Sequence, residues 1–468
     1  MQAATLLQKY CNPFTCSLSS NTGTPQMRPP PLPDELLLEI FEFATHVHRH
    51  ATLAPLDPFT PRRVSNNVMG PNTASLSTRT KLSLVLVCRS WRRLAVQLLY
   101  DYLVIRSPAR ATTILAVLQR SSSMTDGKSG PAGYGQWTRH IEVHTHARGA
   151  NNLSFLQTIF RIFQECPNVR MLSGIWNHPL PIEFLNAVAA LYGPSLQGIY
   201  WNDRSVIYPE RTTLASPEFL TSFSSLRVLN LRSYSGKSVS KSHAVTLPKV
   251  EDLVISNTQR SLAIATTLGL PALRNLTVKT GAECAPTEYF INFLHVHGAS
   301  LVSVDLLSPS VDSDPEPDSS QIRRTACHTN PDLFLLDNRC PNLVTLTFPT
   351  TSSPLSPDIC HPLHRIGLRG VRADSLYPDK ATNTKGHLMS FTPDRYPKLE
   401  VVRTVGYLVE ADTDSLIKDV FIWWVEKFEK QGVDFLDGEA LVQLKLRRPG
   451  SVNQGVDVGS RLPEPSPS

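Results

Sequence analysis

A six-residue pattern recurs along the middle of the chain: an apolar residue, two variable residues, an apolar residue, one variable residue and a last apolar residue. Clear copies begin at Leu196, Leu226, Val250, Leu273, Leu301 and Leu343, and weaker copies begin at Thr138, Val169, Leu363 and Leu399. The intervals leave room for one strand and one helix or irregular return per copy. Because one such unit cannot bury its apolar side alone, the repetition predicts a solenoid of stacked units with parallel strands.

The alternation of a strand assigns each repeat residue to one of two faces. In LRVLNL, Leu229 and Leu231 point inward, whereas Val228, Asn230 and Arg232 share the opposite face. A mixed polar row of this kind suits a protein or peptide partner, although ordinary solvent exposure is the alternative for any one position. The candidate target-binding residues are Tyr200, Asn202, Asn230, Arg232, Asp252, Asn275, Lys279, Asp305 and Arg403.

Two helical segments precede the repeats. Prolines and the acidic pair Asp34 and Glu35 lead into apolar residues at helical spacing, which predicts a short helix over 34–44. Residues 82–99 predict a second amphipathic helix, or two in succession, passing into a short β segment at 102–105. The predicted organisation is a disordered 1–27, a helical module over 28–105 with a loop at about 50–78, repeats over 106–446 with a loop insertion at about 308–325 and a capping helix at about 413–430, and a disordered 447–468.

Two motif halves follow one another across about residues 30–100: Leu32-Pro33 and Ile40-Phe41, then Val87-Cys88 and Trp91. With these residues in this order, the helical segments resemble the F-box family. CPNV from Cys166 and CPNL from Cys340 look like the cysteine-bearing leucine-rich repeats that often follow an F-box. The implied fold is α/β, with a small N-terminal helical F-box module followed by a leucine-rich-repeat solenoid with parallel strands. The connection between the two motif halves is longer than is usual in the family, and we expect it to protrude as a loop.

The resemblance implies a substrate-recognition subunit of an SCF-type E3 ubiquitin ligase. Its F-box would dock on the Skp adaptor subunit, which joins it to the cullin and RING subunits, and its repeats would bind a protein target that the sequence does not identify. The implied adaptor-contacting or module-core residues are Leu32, Pro33, Leu36, Ile40, Phe41, Leu84, Val87, Cys88 and Trp91. The alternative is a leucine-rich-repeat interaction scaffold that acts outside the ubiquitin ligase.

Other function classes receive little support. The sequence carries none of the GxSxG, GxxxxGK[ST], HExxH or GxGxxG motifs, so we expect no enzyme activity and no cofactor. The cysteines form no CxxC pair, so no metal is expected. The net charge of +6 includes no long basic run, and no apolar run approaches the ~20 residues of a membrane helix. We expect neither nucleic-acid nor membrane partners, and an intracellular location, cytoplasmic or nuclear.

Overall fold

The structure is a computed structural model, and it describes part of the chain. The described residues are 32–47, 53–55, 57–59, 74–123, 133–145, 152–177, 180–203, 217–232, 234, 245–280, 285–307, 328–409 and 413–438. The predicted disordered ends and the predicted insertion at about 308–325 lie outside these residues.

Fourteen strands are found in the described residues, and twelve of them form one parallel sheet. In chain order they are β1 Tyr102–Ile105, β2 His140–His144, β3 Met171–Trp176, β4 Gly198–Asp203, β5 Val228–Asn230, β6 Val245–Thr246, β7 Asp252–Ser256, β8 Leu268–Gly269, β9 Asn275–Lys279, β10 Ser303–Leu307, β11 Thr345–Pro349, β12 Arg365–Arg369, β13 Val401–Val405 and β14 Asp434–Leu436. Strands β6 and β8 pair with each other, and the other twelve follow one another across the sheet in chain order. The predicted α/β class is confirmed.

The six-residue pattern sets the register of this sheet. Each of the ten copies places the start of a strand at its third residue, as Leu226 does for β5 at Val228. Equivalent apolar residues are therefore paired across neighbouring strands, for example Leu229 with Leu253 and Leu253 with Leu276. These side chains are at most 1% exposed and belong to one hydrophobic core that extends from Leu103 to Phe435. Near-continuous apolar burial of this kind is typical of parallel sheets covered by helices.

Helices connect the strands and precede the sheet. They are α1 Asp34–Thr45, α2 Ala74–Val87, α3 Arg89–Asp101, α4 Pro108–Ser123, α5 Asn152–Glu165, α6 Ile182–Tyr192, α7 Pro217–Thr221, α8 Gln259–Thr267, α9 Thr287–His297, α10 Asp332–Leu335, α11 Asn383–Ser390 and α12 Ser415–Glu429. Short 3₁₀ turns occupy Tyr134–Trp137, Gly298–Ser300, Leu336–Asn338 and Ala373–Ser375. Helix α2 begins inside the range predicted as a loop. Residues of the connecting helices, such as Ile159, Val188 and Leu262, contribute to the same core as the strands.

Successive units approach closely at several glycines, and two of these contacts involve the backbone before a buried cysteine. A Cβ atom at Gly135 would lie 1.9 Å from the carbonyl oxygen of Glu165, and one at Gly298 would lie 2.3 Å from that of Arg339. In both cases the approaching backbone leads directly into a buried cysteine, Cys166 or Cys340. Only glycine allows neighbouring units to pack this closely at these points.

The sheet ends at a strand that the sequence pattern did not predict, β14. Helix α12 packs over it: the ring of Phe435 lies 5.0 Å from Phe421 and 5.2 Å from Phe428. Trp424 is fully buried, and its Nε1 donates to the carbonyl oxygen of Leu376 at 2.7 Å. The helix predicted near 413–430 therefore covers the last strand of the sheet.

Candidate protein-docking surfaces

The interior of the helical module is small and centred on Phe41. This side chain is 2% exposed, and its ring centroid lies 4.8 Å from that of Trp91 on α3. Ser77 Oγ of α2 donates to the carbonyl oxygen of Thr45 at 2.6 Å, which holds α2 to the end of α1. Of the nine predicted adaptor or module-core residues, Phe41 is thus an interior residue.

Capping and charge determine how α3 is placed. Cys88 Sγ accepts a hydrogen bond from the Trp91 backbone N–H at 3.4 Å, so Cys88 is the N-cap that separates α2 from α3. Two helices in succession are therefore present. At the start of α1, Asp34 forms an exposed ion pair with Arg93 of α3.

Two ionisable groups lie where the module meets the sheet. Burial lowers the pKa of Lys81, although the charge of Asp101 opposes that change. Burial likewise raises the pKa of Asp101, against the charges of Lys81 and Arg139. Both residues line a cavity of about 400 Å³ together with Glu42 and Trp137. The junction is therefore polar, unlike the core of the sheet.

The module exposes large apolar residues on α1 and α2. Leu36, Ile40 and Val87 are 46%, 51% and 59% exposed, and Phe43 is 80% exposed. We use the name module surface for Leu32, Leu36, Ile40, Phe43, Leu82, Leu86 and Val87, all of which are exposed. Pro33 and Cys88 are exposed as well, whereas Leu84 and Trp91 are half-buried.

Sequence reasoning omitted three residues of the module surface, Phe43, Leu82 and Leu86. Phe43 continues the spacing of Leu36 and Ile40 along one side of α1, and Leu82 and Leu86 are four residues apart on α2. This helical spacing in the sequence could have identified the three residues. Apolar groups exposed to this degree along helices mark candidate interaction sites.

The polar row predicted on the outward strand positions is closed at four of its nine residues. Tyr200, Asn202, Asp305 and Arg403 are at most 5% exposed, so the expectation of an open row is wrong at these four positions. Neighbouring strands in a sheet are only ~4.8 Å apart, and long side chains on one face cover one another. The other predicted residues keep more exposure: Asn275 is exposed, and Asn230, Arg232, Asp252 and Lys279 are half-buried.

Hydrogen bonds between strands explain this closure on β4 and β5. The hydroxyl oxygen of Tyr200 accepts from Arg232 Nε at 3.1 Å and Nη2 at 2.9 Å, and from Asn202 Nδ2 at 2.9 Å. The Arg232 guanidinium also lies 4.7 Å from the Tyr200 ring centroid. These contacts make the three side chains one cluster, so a partner would meet Arg232 before Tyr200.

A buried ion pair closes the face further along. Arg369 on β12 donates from Nε and Nη2 to the two carboxylate oxygens of Asp305 on β10, at 2.9 and 2.8 Å. It reaches across β11, and both side chains are 8% exposed. On β13, Arg403 donates to the carbonyl oxygens of Asp437 and Gly438. Asp305 and Arg403 are therefore engaged within the chain.

The connection between α1 and α2 contacts the sheet where it is described. Leu53 lies over Gly198, the first residue of β4, and the Phe59 ring lies 5.3 Å from the guanidinium carbon of Arg365, the first residue of β12. The expectation of a protruding loop is therefore wrong for residues 53–55 and 57–59. These contacts could not be predicted from the sequence, because the segment has no apolar periodicity.

Two searches tested whether the chain is similar to known proteins. Neither a scan of protein-family models nor a search of curated proteins finds a match. Among the described residues, no helix has both the length and the apolar character needed to cross a membrane. Within the same residues, no group of three or more His, Cys, Asp or Glu side chains is placed to hold a metal ion.

Proposed function

We propose that the chain is the substrate-recognition subunit of an SCF-type ubiquitin ligase. In this proposal α1–α3 are the F-box that docks on the Skp adaptor, and the sheet with its helices is a leucine-rich-repeat solenoid that binds the target protein. The chain is not itself an enzyme, since the ligase chemistry belongs to the other subunits. The observation that carries the proposal is the exposure of Leu36, Ile40 and Val87, which belong to the F-box-like motif.

The energetics of the module favour a helix-binding partner. Among the described residues of α1–α3, the buried apolar side chains are Phe41, Ala95 and Val96. A unit of this size rarely buries enough surface to be stable alone. Each large apolar side chain that a partner covered completely would contribute about 1.5–3 kcal/mol. Docking of the module surface in a partner groove would complete the burial that the module lacks.

The arrangement of the sheet supports the second half of the proposal. Its strands follow chain order, and each copy of the pattern supplies one parallel strand. A leucine-rich-repeat solenoid has this arrangement. Its strand face would offer Arg232, Asp252, Asn275 and Lys279, the less buried members of the predicted row, to a target.

Co-purification of the full-length chain with the Skp adaptor tests the proposal. We expect Leu36→Asp with Ile40→Asp to abolish adaptor capture, because two carboxylates would be buried without partners in the interface. Matched controls are Leu153→Asp on α5 and Leu416→Asp on α12, whose side chains are 61% and 55% exposed. Circular dichroism would establish that each variant is folded.

Two results would contradict the proposal. One is a folded wild-type chain that captures no adaptor. The other is capture that the α1 substitutions and the control substitutions weaken equally. Either result would favour the interaction scaffold that acts outside the ligase.

A further inference from the structure

The described part of the α1–α2 connection contacts two distant strands of the sheet. We name residues 53–55 and 57–59 the clasp. A Cβ atom at Gly198 would lie 3.4 Å from Leu53 Cδ1, so the missing side chain of Gly198 makes room for Leu53. At the other end, the Phe59 ring faces the guanidinium of Arg365 at 5.3 Å, within the range of a cation–π contact.

Both contacts are on the face proposed to bind the target. Side chains two residues apart on a strand share a face, so Gly198 lies on the side of Tyr200 and Asn202. By the same rule Arg365 lies on the side of Arg369, which pairs with Asp305. The clasp therefore lies at the amino ends of the strands, on the polar face.

The clasp spans most of the sheet between its two contacts. Strands β4 and β12 are separated by β5, β7, β9, β10 and β11, a distance along the sheet of roughly 29 Å at ~4.8 Å per strand. An extended chain from Leu53 to Phe59 reaches roughly 20 Å. The side chains of Leu53, Phe59 and Arg365 therefore contribute to bridging the distance.

The chemistry of the clasp is that of a peptide ligand. Pro55 and Pro58 restrict its backbone, and the Phe59 N–H donates to Asp57 Oδ1 at 2.9 Å. It has an aliphatic anchor at one end and an aromatic anchor at the other. Beside Ala54 the sheet edge forms a cavity of about 500 Å³ that includes Arg139, Arg170 and Arg227. Ala54 of the clasp itself lines this cavity.

We infer that the clasp is an intramolecular occupant of the target-binding face, and that the target displaces it. The inference rests on the proposed function and deepens it by naming the target class: a proline-containing segment with an aliphatic residue and, about six residues later, an aromatic residue that stacks on Arg365. A tethered segment acts at an effective concentration near the millimolar range. A weak external peptide therefore competes poorly while the clasp is intact.

A fluorescent peptide with the sequence of residues 53–59, LAPLDPF, is the probe. Anisotropy titration against the full-length chain should show little binding to wild type and at least ~10-fold tighter binding to Leu53→Ala with Phe59→Ala, since the competing segment is weakened. Adding Arg365→Ala to that variant should remove the gain. Arg372→Ala is the matched control, because its side chain is 79% exposed and pairs with Asp374.

The inference is overturned if wild type and the double variant bind the peptide equally, or if neither binds it. It is also overturned if Arg365→Ala and Arg372→Ala have the same effect. Phe59→Ala alone is a milder variant that keeps the test valid where the double variant unfolds.

Adaptor capture on the same proteins separates this inference from the proposed function. The clasp variants leave Leu36 and Ile40 intact and should retain the adaptor. If the variant with Leu53→Ala and Phe59→Ala captured the adaptor normally but did not bind the peptide, the clasp inference alone would be contradicted. Peptide binding by a chain that captures no adaptor would contradict the ligase proposal alone.

Discussion

The helical module and the sheet use apolar residues in opposite ways. Among the described residues, the module exposes Leu32, Leu36, Ile40, Phe43, Leu76, Leu82, Leu86 and Val87, which are eight of the fourteen exposed large apolar side chains. Its buried residues Phe41, Ala95 and Val96 are not part of the core that extends through the sheet. The sheet instead places its pattern residues inside one continuous core.

This difference assigns different physical roles to the two regions. A residue whose burial is complete within the chain contributes to folding. A residue of the same type left exposed contributes little until a partner covers it. The comparison therefore predicts that matched substitutions will affect stability strongly in the sheet and weakly in the module.

The largest difference in stability effect is expected between the buried ion pair of Arg369 with Asp305 and the exposed ion pair of Arg93 with Asp34. Arg369→Met leaves the Asp305 carboxylate buried without this partner and should lower the free energy of unfolding by about 3–5 kcal/mol. Arg93→Met removes the exposed pair with Asp34, whose side chains are 67% and 45% exposed, and should cost about 0–1 kcal/mol. Urea unfolding followed by circular dichroism measures both changes.

The double variant Asp305→Leu with Arg369→Met is the control for the first substitution. Replacing both charges by apolar residues removes the buried carboxylate together with its cation, so stability should recover most of the loss. If Arg369→Met and Arg93→Met lowered the free energy of unfolding equally, the buried and exposed ion pairs would not differ in their contribution to stability.

A smaller but still clear difference is expected for truncated leucines. Leu346 on β11 is 0% exposed, and Leu346→Ala should cost about 2–5 kcal/mol through lost burial and a residual cavity. Leu36→Ala on α1 should change the free energy of unfolding by at most about 0.5 kcal/mol. If Leu36→Ala were as destabilising as Leu346→Ala, the exposure of the module surface would not hold in solution.

The parts of the fold that were predictable are those with local periodicity. The pattern around Leu226 or Leu343 defines a strand and its inner face without reference to distant residues, and the spacing of Leu36, Ile40 and Phe41 defines α1. Strand β14 was missed because Val433 and Phe435 alternate over too few residues to be distinguished from a loop. The separation of α2 from α3 depended on one capping residue, Cys88.

The sites were less predictable because they depend on tertiary contacts. Arg369 and Asp305 are 64 residues apart in sequence, and nothing in either segment indicates the pairing. Exposure on the strand face likewise depends on neighbours: Asn275 remains open, whereas Tyr200 is covered through Arg232. The contact of Phe59 with Arg365 is of the same kind.

The smallest expected effect is the pH dependence of stability that the buried histidines of the sheet region cause. His297, His361 and His387 are buried in the sheet region, and Nε2 of each lies 3.1–3.2 Å from a backbone carbonyl oxygen. A carbonyl only accepts, so Nε2 donates, and in the neutral form of the ring Nδ1 is then the unprotonated nitrogen. For His361, Nδ1 has no hydrogen-bond partner among the described residues, so a second proton on that ring would be buried without an acceptor.

Burial lowers the pKa of all three histidines. The unfolded chain, with a histidine pKa near ~6.5, therefore binds more protons than the folded chain below that pH. The contribution of the neutral rings to the stability of the folded chain is complete above about pH 6.5 and is lost as the pH falls towards the lowered folded pKa.

His387→Gln, which can still donate to the carbonyl of Ser352 but does not titrate, should lose less thermal stability than wild type between pH 7.5 and 5.5. A pH dependence of His387→Gln identical to that of wild type would show that protonation of this buried ring does not limit the stability of the sheet.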